Sequence, residues 1–464
     1  MHVKTTAKRG VALLVLVAMV ISGLGVLGYR FFVNGESWAT MRANAHLTED
    51  GSFTGAGNVV DRNGEILAYT EDGKRLYNQS ERVRRSTLHI VGDTEGYISS
   101  GVQTAYKTQL TGYNELMGLY TLKKHGRGND VVLTIDSRVC ALAHDALDGR
   151  NGVVAAYNYK TGELLCSVSG PDYDINNKPS QEEIDKNEDG KYEGVYLNRL
   201  IDGLYTPGSV FKVVTTISAI QNVPDIESFT YTCTGEEYID GVKVTCPDKH
   251  GKMDFGECFT NSCNCAYAQI SQKIGSQNLQ NTATQMGFGK VFSFGNGETK
   301  ASSFDLSSAG SGDLAWAGVG QYSTLVNPYH MLTVVGAVAN SGQAVLPYAV
   351  SSVKTPSGDI LSQTESKTEE YVSSEVADRT AQLMRDNVVN KYGDESFLGL
   401  SMCGKTGTAE VEDGKEPHSW FVGFSQNEQC PVAIVVVVEN GGWGSQNALP
   451  IASQVMNEIY KSTS

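Results

Sequence analysis

Val11 to Tyr29 is an uncharged, mostly apolar run, preceded by Lys4, Lys8 and Arg9 and followed by Arg30. About 19 such residues suffice as a helix to span the hydrocarbon core of a bilayer. This segment divides the chain into a part that lipid must hold and a part that must fold in water. The positive charge before the run places the first residues in the cytoplasm and everything after Arg30 outside. A cleaved signal peptide is the rival reading. Ala43-Asn44-Ala45 has a cleavage-like pattern, but it lies too far beyond the apolar run, which is also longer than most signal cores.

The remainder is too long for one typical domain and suggests two. A hydrophobic content of 40% with 50 glycines fits a globular protein with many turns. The net charge of -15 argues against nucleic-acid binding, and the short cluster Arg82-Val83-Arg84-Arg85 does not outweigh it.

Thr206-Pro207-Gly208-Ser209-Val210-Phe211-Lys212 carries the chemistry. Pro207 suits a first helical position, and Thr206 can cap the free amides there. Residues i and i+3 share a helix face, so the Lys212 amine can reach the Ser209 hydroxyl. A serine hydroxyl is a poor nucleophile at neutral pH without a nearby base. An unpaired amide in the first turn can also stabilise an oxyanion.

Two further elements follow in order, Ser262-Cys263-Asn264 and Lys405-Thr406-Gly407-Thr408-Ala409-Glu410. Similar strings elsewhere read as structure. Ser351 and Lys354 fall in a strand entering a turn, where i and i+3 point to opposite faces. Lys160-Thr161-Gly162 joins two apolar runs as a β-hairpin, with Gly162 supplying a positive φ. Ser276-Gln277-Asn278, Ser425-Gln426-Asn427 and Ser445-Gln446-Asn447 sit in polar, loop-like stretches. Ser262-Cys263-Asn264 differs by leading into the helix-like Cys265-Ala266-Tyr267-Ala268-Gln269-Ile270.

Ser-x-x-Lys, Ser-x-Asn and Lys-Thr-Gly in this order resemble the class B penicillin-binding proteins, the membrane-anchored transpeptidases of peptidoglycan synthesis. The resemblance covers nearly the whole chain. Asn198-Arg199-Leu200-Ile201-Asp202-Gly203-Leu204-Tyr205 runs into the serine motif as in that family, His250-Gly251 precedes the second motif, and Ser419-Trp420-Phe421-Val422-Gly423-Phe424 follows the third. Asp61-Arg62-Asn63-Gly64-Glu65-Ile66-Leu67-Ala68 resembles the phrase that opens the family's N-terminal module. Tyr322 and Asn327 depart from the family's Gly-Gln-Gly and Thr-Pro, a change of groove shape that removes no catalytic group.

The resemblance implies a role for each motif residue. Ser209 attacks the D-Ala-D-Ala bond of a stem peptide, and the amides of Ser209 and Thr408 hold the oxyanion. Lys212 takes the serine proton and must be neutral, although a free lysine has a pKa of about 10.4. Burial and a neighbouring cation, Lys405, would lower it. Ser262 relays a proton to the leaving amine. Asn264 holds Lys212 and binds the substrate amide. Lys405, Thr406 and Thr408 bind the stem carboxylate, and Gly407 leaves room for a peptide to pair with this strand.

The implied activity is a peptidoglycan D,D-transpeptidase that cross-links neighbouring stems, is acylated by β-lactams, and needs no cofactor. A carboxypeptidase or β-lactamase, or a non-turnover penicillin sensor or scaffold, is the alternative. The expected layout is a cytoplasmic tail over 1–10, a plasma-membrane anchor over 11–33, a non-catalytic module over 34–145 and an extracellular transpeptidase domain over 146–464. Glycan polymerisation would fall to a separate membrane-embedded partner. The expected fold is α/β, with a central antiparallel sheet built from the 152–168 hairpin and strands near 403–409, 419–425 and 431–438. Helices cover it, among them the serine helix and one near 448–461. The apolar run Pro431 to Val438 suits a buried central strand.

Nine cysteines cannot all pair internally. Cys233 and Cys246 bracket an Asp-Gly hairpin and could form a disulfide across it. Cys258, Cys263 and Cys265 cluster by the second motif, but no histidine or fourth cysteine has a spacing that suggests zinc, so no metal is expected and buried free thiols are the default. Asp185-Lys186-Asn187-Glu188-Asp189-Gly190 matches the opening of an EF-hand loop, yet Tyr196 stands where the bidentate Glu belongs.

Overall fold

The computed structural model describes residues 2–39, 55–112, 125–411 and 414–463. His2–Ala39 is one helix, and its stretch Lys8–Arg30 is exposed, long and apolar enough to cross a membrane. The cleavage-like Ala43-Asn44-Ala45 lies outside the described residues.

The core is a five-stranded antiparallel sheet in the order Met402–Ala409, His418–Ser425, Val432–Val438, Gly152–Asn158, Leu164–Gly170. Every residue of Val432–Val438 is buried. Helices Pro328–Ala339 and Ala448–Thr463 both pack on this strand, which is why it shows no alternation of polar and apolar residues. Each buried valine there contributes about 1.5–3 kcal/mol. The sheet, its covering helices and the C-terminal helix match the expected fold.

A second sheet joins strands from 59–133 to two strands from 350–363. Its order is Ile360–Gln363, Val350–Lys354, Asp130–Leu133, Val59–Val60, Ile66–Glu71, Lys74–Tyr77. Ser351 and Lys354 are therefore in a strand, and the Ser351 hydroxyl donates to Val132 O. Lys160-Thr161-Gly162 forms the hairpin expected of it, with Gly162 at φ +83°. The expectation of loops at the Ser-x-Asn decoys needs correction at two of them. Ser276 opens the helix Ser276–Gln285, and Ser425 ends a core strand.

Asp61 ties the opening phrase of the module to the helix Ser137–Leu147, which spans residue 145. One carboxylate oxygen accepts from the amides of Asn63 and Glu65, and the other from the amide and hydroxyl of Ser137. The basic cluster is likewise internal: Arg82, Arg84 and Arg85 pair with Asp145, Asp174 and Asp172. Asp185–Gly190 ends a short helix capped by Ser180 and turns at Asn187, and among the described residues its carboxylates do not converge on a cation site.

Candidate active site

The serine segment begins as a tight turn, Gly208–Phe211, and becomes an α-helix over Lys212–Asn222. The expectation that Thr206 caps it is overturned. No side chain caps the turn, Pro207 occupies the capping position, and Thr206 O accepts from Trp420 Nε1 at 3.1 Å. Gly208 sits at φ +54°, and a Cβ there would come within 2.6 Å of Thr408 O. Only glycine lets the turn lie against the Lys405 strand at this angle. From the other side, Gly208 N donates to Gly320 O, and Tyr205 exchanges backbone hydrogen bonds with Val326. Asn327 adds to this cradle: buried, it caps the helix Pro328–Ala339 and donates to Ile201 O and Gly203 O.

The structure brings Ser209, Lys212, Ser262, Asn264 and Lys405 together. Lys212 and Lys405 are 0% and 1% exposed. Lys212 Nζ lies 2.6 Å from Ser262 O, 2.8 Å from Asn264 Oδ1, and 3.2 Å from both Ser209 Oγ and Ser262 Oγ. Lys405 Nζ donates to Ser262 Oγ at 2.9 Å. Burial first, then the Lys405 charge, lowers the Lys212 pKa to about 7. Burial first, then the Lys391 charge, lowers Lys405 to about 7 as well.

The partners indicate how a neutral Lys212 would be oriented. A carbonyl and an amide oxygen can only accept, so Ser262 O and Asn264 Oδ1 take the two N–H bonds. The lone pair is then left for a hydroxyl, and Ser209 Oγ and Ser262 Oγ both lie 3.2 Å away. The site can thus deprotonate a serine without histidine.

Ser262 lies at φ +51°, and Cys263, not Ser262, caps the helix Asn264–Ile274 through its sulfur. Thr406 is held by Tyr392, whose hydroxyl accepts from the Thr406 amide and pairs with Thr406 Oγ1. Tyr392 ends the π-turn Val388–Tyr392, and sequence reasoning missed it because nothing in its neighbourhood marks that bend. Thr408 Oγ1 accepts from Gly444 N. At Gly407 a Cβ would come within 2.8 Å of Pro207 O and 3.0 Å of Val210, so the missing side chain admits the serine turn.

The cysteines also differ from expectation. Cys233 and Cys246 form no disulfide, and no disulfide joins any of the nine cysteines. Cys246 approaches Cys263 instead, at 3.5 Å between sulfurs, and Cys233 and His250 lie beside them.

A helix-covered antiparallel sheet with a serine–lysine pair at the start of a buried helix defines the class of penicillin-interacting serine proteins. The penicillin binding protein transpeptidase domain matches residues 152–461, and the chain belongs to that family. It is 28% identical over 430 residues to the peptidoglycan D,D-transpeptidase PbpA of Mycolicibacterium smegmatis, covering 82% of this chain and 84% of that one. The D,D-transpeptidase domain of a peptidoglycan glycosyltransferase from Eggerthella lenta superposes with a TM-score of 0.76 at 26% identity, covering 89% of this chain and 99% of that one. Penicillin-binding protein A from M. tuberculosis, solved as a penicillin G acyl-enzyme complex, gives 0.74 at 25% identity over 88% and 99%.

Proposed function

We propose that this protein is a membrane-anchored peptidoglycan D,D-transpeptidase that works through an acyl-enzyme on Ser209. The observation that carries the reading is the buried Lys212 amine, 2.6 and 2.8 Å from two acceptors and 3.2 Å from Ser209 Oγ.

Lys212 takes the Ser209 proton as Oγ attacks the carbonyl of a D-Ala-D-Ala stem. The amides of Ser209 and Thr408 receive the oxyanion, and losing one such donor typically costs about 100- to 1000-fold in rate. The C–N bond then breaks. The departing D-alanine nitrogen gains a proton through the Ser262 hydroxyl, which lies between the two lysines. An amine from a neighbouring stem attacks the ester and regenerates Ser209. Lys405, Thr406 and Thr408 engage the stem carboxylate, and Asn264 steadies both Lys212 and the substrate amide. A β-lactam takes the same route as far as the ester.

The Lys8–Arg30 helix, with its basic flank, supports a single-pass anchor with the N-terminus cytoplasmic and the enzyme outside. Glycan strands would come from a separate membrane-embedded polymerase.

The test is to incubate the full chain with uncross-linked, pentapeptide-bearing glycan and to separate the products by mass. Cross-linked dimers with released D-alanine are expected. Trimmed tetrapeptides without dimers would make it a carboxypeptidase.

A further inference from the structure

We propose that Cys233, Cys246, His250 and Cys263 bind one zinc ion, and that this ion fixes the Ser262–Asn264 turn against Lys212. One ligand atom from each of the four residues lies within 4.8 Å of all the others. The separation of 3.5 Å between the Cys246 and Cys263 sulfurs is far beyond a disulfide bond of about 2.05 Å. It is close to the edge, about 3.8 Å, of a tetrahedron with Zn–S bonds of about 2.3 Å.

Three separate parts of the fold converge on this point. Cys233 ends the strand Thr230–Cys233, which pairs with Gly251–Asp254 so that Gly251 faces Cys233 and His250 falls beside it. Cys246 follows the hairpin Glu236–Thr245. Cys263 caps the helix Asn264–Ile274.

The surroundings suit thiolates. The Cys246 sulfur accepts from the amides of Asn264 and Cys265 at 3.1 and 3.4 Å, and the Cys263 sulfur from Ala266 N at 3.4 Å. Such bonds orient ligands around a metal and stabilise their charge. His250 Nδ1 is buried with no hydrogen-bond partner, a state that few native ring nitrogens keep without a ligand. Three thiolates and an imidazole form a soft, closed, four-coordinate set, which matches structural zinc and leaves no position for a reacting water.

The ion would act on catalysis through position. Cys263 is the middle residue of the second motif, so its neighbours Ser262 and Asn264 are held by the same turn. Asn264 is tied further through its amide to Cys246 and its side chain to Thr245 O. Ser262 O and Asn264 Oδ1 are the two acceptors that orient the Lys212 amine. The spacing hid the site, because the ligands are contributed by two strands' worth of hairpins and a helix cap and not by one compact repeat.

The test is elemental analysis of the reduced full chain, purified in detergent without chelator. About one zinc per chain is expected. Cys246→Ser and His250→Ala should lower the content at least tenfold, and Cys265→Ala, which changes a neighbouring thiol outside the set, should retain it. Cobalt added to chelated wild type should give the absorption of tetrahedral, thiolate-ligated cobalt, a readout that does not need the variants to fold. Folded wild type that takes up neither zinc nor cobalt, a Cys246–Cys263 disulfide, or iron or copper in place of zinc would overturn the site. Chelation should also slow acylation by a fluorescent penicillin about 10- to 100-fold, with zinc restoring it. Zinc that binds but leaves acylation unchanged on removal would overturn the positioning role. Metal content is independent of turnover, so this result stands apart from the transpeptidase reading.

Discussion

Lys212 and Lys405 share one hydroxyl: their amines lie 3.2 and 2.9 Å from Ser262 Oγ. Two buried ammonium groups this close cannot both keep a proton cheaply. The arrangement makes one lysine a base and leaves the other to offer charge.

The pH dependence follows from that pair. Acylation needs neutral Lys212, so kcat/KM should fall as pH drops through about 7. Lys405 also titrates near 7 in the free protein, so carboxylate capture should weaken on the alkaline side. A bound carboxylate favours the Lys405 charge, which should move the alkaline limb of kcat above that of kcat/KM. In Lys405→Met the acid limb should move to higher pH, because a cation that depresses Lys212 is gone. Stopped-flow acylation across pH 5.5 to about 9 checks both. An unmoved acid limb would show that the two lysines are not coupled.

Ser262→Ala should slow acylation by about 100-fold, within the usual range for a proton-transfer group. It should not abolish the adduct, because Lys212 keeps Ser262 O and Asn264 Oδ1 as acceptors. Intact-protein mass spectrometry after penicillin treatment, followed over time, measures this.

The three motifs and their order were legible in the sequence because the chemistry fixes residue types at short spacings. The central sheet was legible because Val432–Val438 is apolar throughout. The local conformations were not. Thr206 looks like a cap, yet the approach of Thr408 to Gly208 and the pull of Trp420 on Thr206 O shape that turn instead. The close packing of Pro207 and Val210 against Gly407 was not legible either. Tyr392 meets Thr406, and His250 meets three cysteines, only where the fold's turns bring them together.

Tyr322 stands at φ +63° where relatives of this fold were expected to carry glycine. A bulky residue in the left-handed region is strained by about 1–2 kcal/mol. Tyr322→Gly should therefore raise the melting midpoint by a few degrees in calorimetry, and a lower midpoint would mean that the exposed ring makes compensating contacts.

Arg84 makes a two-pronged pair with Asp174 at 2.6 and 2.8 Å, joining the basic cluster to the start of the segment after the Leu164–Gly170 strand. Both side chains are largely buried. Arg84→Ala should destabilise the fold by about 1.5–3 kcal/mol, as expected for a charge-assisted hydrogen-bonded pair. Denaturant titration of the full chain in detergent reads it, and Arg84→Lys should recover only part because it cannot bind both oxygens.

The most direct measurement is covalent labelling of the full chain with a fluorescent penicillin, beside Ser209→Ala. The account predicts a stable label on the wild type that is absent from the variant. A label that persists in Ser209→Ala, that clears within minutes from the wild type, or that never forms on folded wild type would contradict it.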